Sequence, residues 1–247
     1  MEEKKASNGE IVLDGKVIRR LDNFWYHYKW VTIGVVLAFV ILFVCIFQTC
    51  SAEKKDIIVV YAGPQYLSVG ESEQLTQVMN TVMPYDLDGN GEKYAVMNLY
   101  EIYSEEQMRA INEADGDKRI DSSRNTSQYQ TYQSYLQTGE SCVYFLDPHL
   151  YESMDKSFFC PLSESVGELS KGAIDEYAVR LGDTDLYAEY GVVRLLPEDT
   201  VICLMNPLVW GKNRKEDAYT LEKDMFRAIV TYRSATEAEI GGAESGT

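Results

Sequence analysis

From Trp30 to Phe47 the chain reads WVTIGVVLAFVILFVCIF, eighteen residues with no ionisable side chain except the Cys45 thiol. As a helix rising 1.5 Å per residue this run reaches about 27 Å, enough to cross the hydrocarbon core of a bilayer. Just before it lies FWYHYKW, residues 24–30, whose aromatic rings suit a headgroup interface where a ring is half wet. Lys29 has the reach to snorkel to the same level. A segment of this kind splits the rest of the chain into a short part on one side of a membrane and a long part on the other.

The run ends in Phe47-Gln48-Thr49-Cys50. A cleaved secretory signal has a shorter apolar region and small residues before the cut, and a lipoprotein signal wants an aliphatic residue three places before the cysteine. Gln48 fits neither pattern, so the reading is an uncleaved anchor over residues 24–50, with lipidation of Cys50 as the alternative. Lys16, Arg19, Arg20 and Lys29 on one side outnumber Lys54 and Lys55 on the other. That bias predicts a cytoplasmic tail over residues 1–23 and an extracellular remainder. The tail carries an Asp-Gly turn signal at Asp14-Gly15, but an isolated hairpin is marginal in water, so little stable structure is expected there.

Charge narrows what the outer remainder can bind. Of 23 Lys/Arg and 39 Asp/Glu, residues 1–50 hold six and five, leaving 17 bases against 34 acids, net −17, over residues 51–247. Such a field repels phosphate backbones and anionic headgroups, which disfavours nucleic acid and peripheral membrane binding. The expected partners are the lipid bilayer, through the anchor, and another envelope protein or a small solute.

Past a linker at 51–55, the strand DIIVVYAG (56–63) stops at Gly63-Pro64. Leu75, Val78, Met79, Val82 and Met83 follow at helical spacing before Pro84, and KYAVMNLYEIY (93–103) reads as a second strand. Ser104 and Gln107 form a capping-box pair opening a short helix. ADGDKRIDSSRN (114–125) reads as an exposed loop, followed by a helix over 127–138 that Gly139 ends. CVYFLD (142–147) is a third strand. A looser region spans 160–197, then a strand at 200–206 and an amphipathic helix over 217–233; residues 234–247 lack a core pattern. The alternation predicts an α/β domain over 56–233 with a short, mainly parallel sheet flanked by helices.

Chemistry-bearing motifs are few. Asp86, Asp88 and Asn90 in DLDGNGEKY occupy the first, third and fifth places of a calcium loop, but its twelfth place is Met97 rather than a bidentate acid. A Gly-rich turn is the favoured reading, with weak metal binding the alternative. There are two histidines, His27 in the aromatic belt and His149 beyond the membrane; GxSxG, HExxH and CxxC are absent. A hydrolase would have only His149 as a base, so no catalytic activity and no cofactor are expected. Asp147-Pro148 reads as a helix cap with Pro in the first turn. Cys142 and Cys203 fall in apolar strands, where buried thiols are commoner than disulfides, and pairing is not deducible from spacing. Tyr129, Tyr132 and Tyr135, part of a set of 18 tyrosines, suit a core stripe and a binding surface equally.

SYLQTGESCVYFLDPHLYESM followed by FFCPLSE resembles extracellular solute-binding proteins of the type 2 periplasmic-binding fold, with DIIVVYAG matching that family's first strand. FWYHYKW resembles the membrane entry of uncharacterised single-pass proteins of Gram-positive anaerobes. The first resemblance covers residues 56–165 and implies one lobe of a fold that normally closes two over a ligand. With strand order 2-1-3, the carboxyl ends form a crevice, and the candidate ligand-binding residues are Gln65, Tyr66, Asp147, His149 and Tyr151. The functions compatible with this are, in order, an anchored interaction or accessory domain, a solute receptor related to transporter binding proteins, and an enzyme.

Overall fold

A computed structural model describes residues 16–50, 55–114, 119–167, 172–207 and 216–233. The chain divides into two units, residues 1–53 and 54–247. The first contains one helix, α1 (Lys16–Cys50), of 35 residues. Within it Phe24–Ile46 is long and apolar enough to cross a membrane, with mean hydropathy 2.6. The helix starts upstream of the aromatic belt, inside the tail expected to hold little structure, because extending an existing helix by a turn or two avoids the cost of nucleation. The Asp14-Gly15 turn signal and residues 234–247 lie outside the described residues.

The second unit is built on a five-stranded sheet. Strand β1 (Ile57–Gly63) is buried along its whole length, as expected of a strand covered on both faces. Helix α2 (Val69–Val82) begins with a capping box between Ser68 and Glu71 and buries Leu75, Val78, Met79 and Val82. It leads to β2 (Ala95–Glu101), parallel to β1. The Ser104–Gln107 box starts α3 (Glu105–Glu113), and Asp121 caps α4 (Ser122–Thr138), which Gly139 ends in a left-handed conformation at φ 62°. Strand β3 (Val143–Leu146) then pairs with β1 on the side away from β2, also parallel. Because β1 to β2 and β2 to β3 run across the sheet in opposite directions, right-handed crossovers put α2 and α4 on opposite faces.

The remaining elements correct two expectations. After α5 (Pro148–Ser153) and α6 (Leu162–Ser165), a three-residue strand β4 (Ala178–Arg180) lies in the region read as loose, followed by α7 (Asp185–Glu189). Strand β5 (Val201–Leu204) inserts between β3 and β4 and is antiparallel to both, giving the order β2-β1-β3-β5-β4. The sheet is therefore mixed, with a parallel half and an antiparallel half. A parallel β5 would need a long covering crossover, and between β4 and β5 the described chain has only short helical turns. Helix α8 (Glu216–Val230) packs on β1, β3 and β5 and against α2, burying Leu221, Met225, Phe226 and Ile229.

On the other face Tyr132 and Leu136 of α4 are buried, and the Tyr100 ring of β2 lies 5.8 Å from that of Tyr132 and 6.0 Å from that of Tyr135. Tyr132 is thus a core residue, whereas Tyr129 stays exposed. Cys142, Cys160 and Cys203 are all buried; Cys160 and Cys203 are free thiols, and burial pushes both upward in pKa.

Candidate ligand cleft

The chain leaves β1 for α2 and leaves β2 for α3 and α4, and α2 and α4 lie on opposite faces, so the two exits diverge at the carboxyl edge and leave space there. The space is a cleft of about 410 Å³ outside the ends of β1 and β2, within the usual range for small-molecule sites. One wall follows β1. A Cβ at Gly63 would sit 2.7 Å from the Tyr61 hydroxyl oxygen, so only glycine lets that buried tyrosine reach across. The hydroxyl accepts the Gln65 backbone N–H at 3.1 Å. Gln65 Nε2 in turn donates to the Tyr66 carbonyl, and the Tyr66 side chain stands 61% exposed at the cleft.

The facing wall follows β2. Glu101 Oε1 accepts the Tyr103 hydroxyl at 2.8 Å and Oε2 accepts Arg124 Nη2 at 2.9 Å. Burial, then Glu101, pushes the Tyr103 phenol up to about 12, so it remains a donor at neutral pH. Asn125 accepts the Tyr103 backbone N–H at 2.9 Å and donates to the Tyr103 carbonyl at 3.0 Å, tying the start of α4 to the exit of β2. Asp121 accepts the N–H groups of Ser123 and Arg124 as the α4 cap. Arg119, which also lines the cleft, makes no ion pair or side-chain hydrogen bond with a described residue.

The five residues expected to form one site are distributed. Gln65 and Tyr66 share this cleft. Asp147 is buried; its Oδ1 accepts the His149 backbone N–H at 2.9 Å as the α5 cap, and its Oδ2 accepts Gln107 Nε2 from α3 at 3.0 Å. His149 is exposed on the first turn of α5 and lines no described cavity. Tyr151 belongs to a second cavity of about 330 Å³ beside Arg180 and Val201. There its hydroxyl donates to Asp175 at 2.7 Å while Lys156 Nζ lies 3.1 Å from its ring centroid, a cation–π contact. Groups that strand order alone had put together thus hold different partners: Asp147 is bridged to the first turn of α3 through Gln107, and Tyr151 is held by Asp175.

Arg119, Arg124 and Asn125 were not named from sequence because residues 114–125 read as loop, and Glu101 and Tyr103 because they stood at the end of a strand with nothing to show what faced them. The available signal was Asp121, an acidic cap residue that moves the start of α4 five residues earlier and carries Arg124 and Asn125 to the strand end.

The DLDGNGEKY turn gains a partner from β1's entrance. Carboxylate oxygens of Asp56, Asp86 and Asp88 lie within 4.8 Å of one another, a set with the chemistry to hold a hard cation. Backbone groups already engage these acids. Asp86 accepts from Gly89 and Gly91 at 2.9 and 2.7 Å, and Asp56 accepts from Leu87 and Tyr94 at 3.2 and 2.9 Å. The Gly91 bond leads the contacts that hold the Asp86 carboxyl below its usual range. Asn90 accepts the Glu92 N–H with its side-chain oxygen at 2.8 Å. Gly89 and Gly91, at φ 72° and 95°, supply the left-handed positions the turn requires.

The molecule is thus an α/β domain with a carboxyl-edge cleft, in a chain that also carries a membrane-length helix. Comparison with protein-family models, with curated proteins and with solved structures finds no match.

Proposed function

We propose that this protein is a membrane-anchored extracellular binding domain with no catalytic activity of its own, and that its recognition site is the cleft between the ends of β1 and β2. The cleft is the observation that carries the reading: it has small-solute dimensions, an exposed aromatic ring in Tyr66, and polar groups from two strand ends and one helix start. Of the acids lining it, Glu101 is engaged by Tyr103 and Arg124 and Asp121 by the first N–H groups of α4, which favours holding a ligand over transforming it. The order β2-β1-β3 is the one that the solute-binding resemblance calls for, and a one-lobe relative of such proteins is the form of the proposal. The excess of Lys and Arg before the span orients the domain outward.

A solute that binds the native state alone raises its melting temperature. The test is a thermal-shift screen of small solutes on the full chain in nanodiscs, repeated with Tyr66→Ala. Expected are stabilising solutes whose effect the substitution removes; a screen with no such solute defeats the receptor reading. Tyr66 and Val69, 61% and 76% exposed and three residues apart after β1, together favour a second reading in which this segment contacts another envelope protein. Crosslinking from position 69 in native membranes tests it, and an absence of specific adducts removes it. Protease added to intact cells checks orientation: the outer domain should be digested.

A further inference from the structure

The cleft's charges are not equally occupied. Both Glu101 oxygens have donors, one from Tyr103 and one from Arg124, and Asp121 is turned to the N–H groups of α4. Asn125 is held at both ends by the Tyr103 backbone. Arg119 alone among the charged groups lining the cleft has no described partner, in a segment of net charge −17 where acids outnumber bases 34 to 17. Its guanidinium offers a planar fork of donors that matches a carboxylate with two parallel hydrogen bonds. Tyr66 supplies an exposed ring, and Ile120 an apolar flank, for the rest of such a molecule.

We propose that the cleft binds a small monoanionic solute, a carboxylate joined to an apolar or aromatic body, with Arg119 as the anion-holding residue. This assignment rests on the small-solute reading above. One negative charge matches one uncommitted guanidinium. A phosphate dianion brings a second charge close to Glu101 and Asp121 and into the acidic field of the domain, which disfavours it. The carboxylate lies against Arg119 while its body covers Tyr66, leaving the Glu101–Arg124 pair as the frame rather than the ligand contact.

The probe is phenylacetate, compared with its neutral isostere phenylacetamide, measured by saturation-transfer NMR on the full chain in phosphatidylcholine nanodiscs, with empty nanodiscs as the blank. Phenylacetate should bind and phenylacetamide should bind at least about tenfold more weakly, the scale of one charge-assisted contact. Arg119→Gln should weaken phenylacetate by a similar factor, Arg119→Lys by less because it keeps charge without the fork, and Arg109→Gln on α3 not at all. Equal binding of acid and amide, no binding of either, indifference to Arg119→Gln, or stronger competition by inorganic phosphate than by phenylacetate each overturns the assignment. Neutral or cationic solutes that stabilise the protein through Tyr66 would keep the receptor reading while removing this ligand class, so the two failures are distinguishable.

Discussion

At the exit of β3, Asp147 is buried, and its two oxygens hold the start of α5 and a side chain of α3. At the exits of β1 and β2, on the same edge of the sheet, Tyr66 and Arg119 face open space and the Arg124–Glu101 pair is largely wet on the arginine side, at 63% exposure. Similar residue types therefore do different work according to how many backbone groups need them. Where three elements converge, as at Asp147, a carboxylate becomes structure. Where two strand ends diverge, polar groups remain for something else.

The sharpest way to break this contrast is Asp147→Ala. It removes a helix cap and leaves the Gln107 amide without its acceptor in a partly buried site, at a cost of about 3 kcal/mol in denaturant unfolding. A loss no larger than that of a surface substitution would mean the β3 exit is not the rigid part of the edge. Next in size is Gly63→Ala, whose Cβ meets the Tyr61 hydroxyl; overpacking there costs about 1–2 kcal/mol and releases the Gln65 N–H, so cleft binding should weaken with stability.

Tyr103 sharpens the comparison through pH. Its phenol is raised from 10.0 to about 12 in the folded chain, so its contribution to stability is complete below pH 10. Above that the unfolded chain sheds the proton first, and the contribution is lost as pH rises toward 12. Unfolding midpoints measured across this window should fall, and Tyr103→Phe should flatten that part of the fall. The smallest effect belongs to Arg124→Met: an exposed pair is worth about 0.5 kcal/mol, so stability should hardly change, and a loss comparable to that of Asp147→Ala would erase the distinction between the two exits.

Much of the local structure was legible residue by residue. Asp147-Pro148 as a cap, Ser104 with Gln107 as a capping box, and Gly139 as a helix end are local signals, each satisfied by atoms within three or four residues. The parallel order of β1, β2 and β3 followed from strand and helix alternation. Strand β4 was not legible, because Ala178–Arg180 is too short to show alternation and is defined by its pairing with β5, more than twenty residues away. The calcium-like turn was read from its own nine residues, yet Asp56, at the entrance of the neighbouring strand and thirty residues earlier in the chain, is what completes its carboxylate cluster.

The amino-acid order alone decided the membrane-length helix, since hydrophobic length needs no tertiary partner, and it decided the acidity of the segment that follows it and the helix caps, which are local or additive properties. Tertiary structure decided which polar groups share a cleft. Gln65, Tyr66, Glu101 and Arg119 meet because parallel pairing aligns two strand ends and α4 begins beside them, whereas α5 takes Asp147 as its cap, α3 engages its second oxygen, and the chain beyond β3 carries Tyr151 into another cavity. Such a gathering depends on long-range register and on competition among backbone donors, and neither is encoded at any one position.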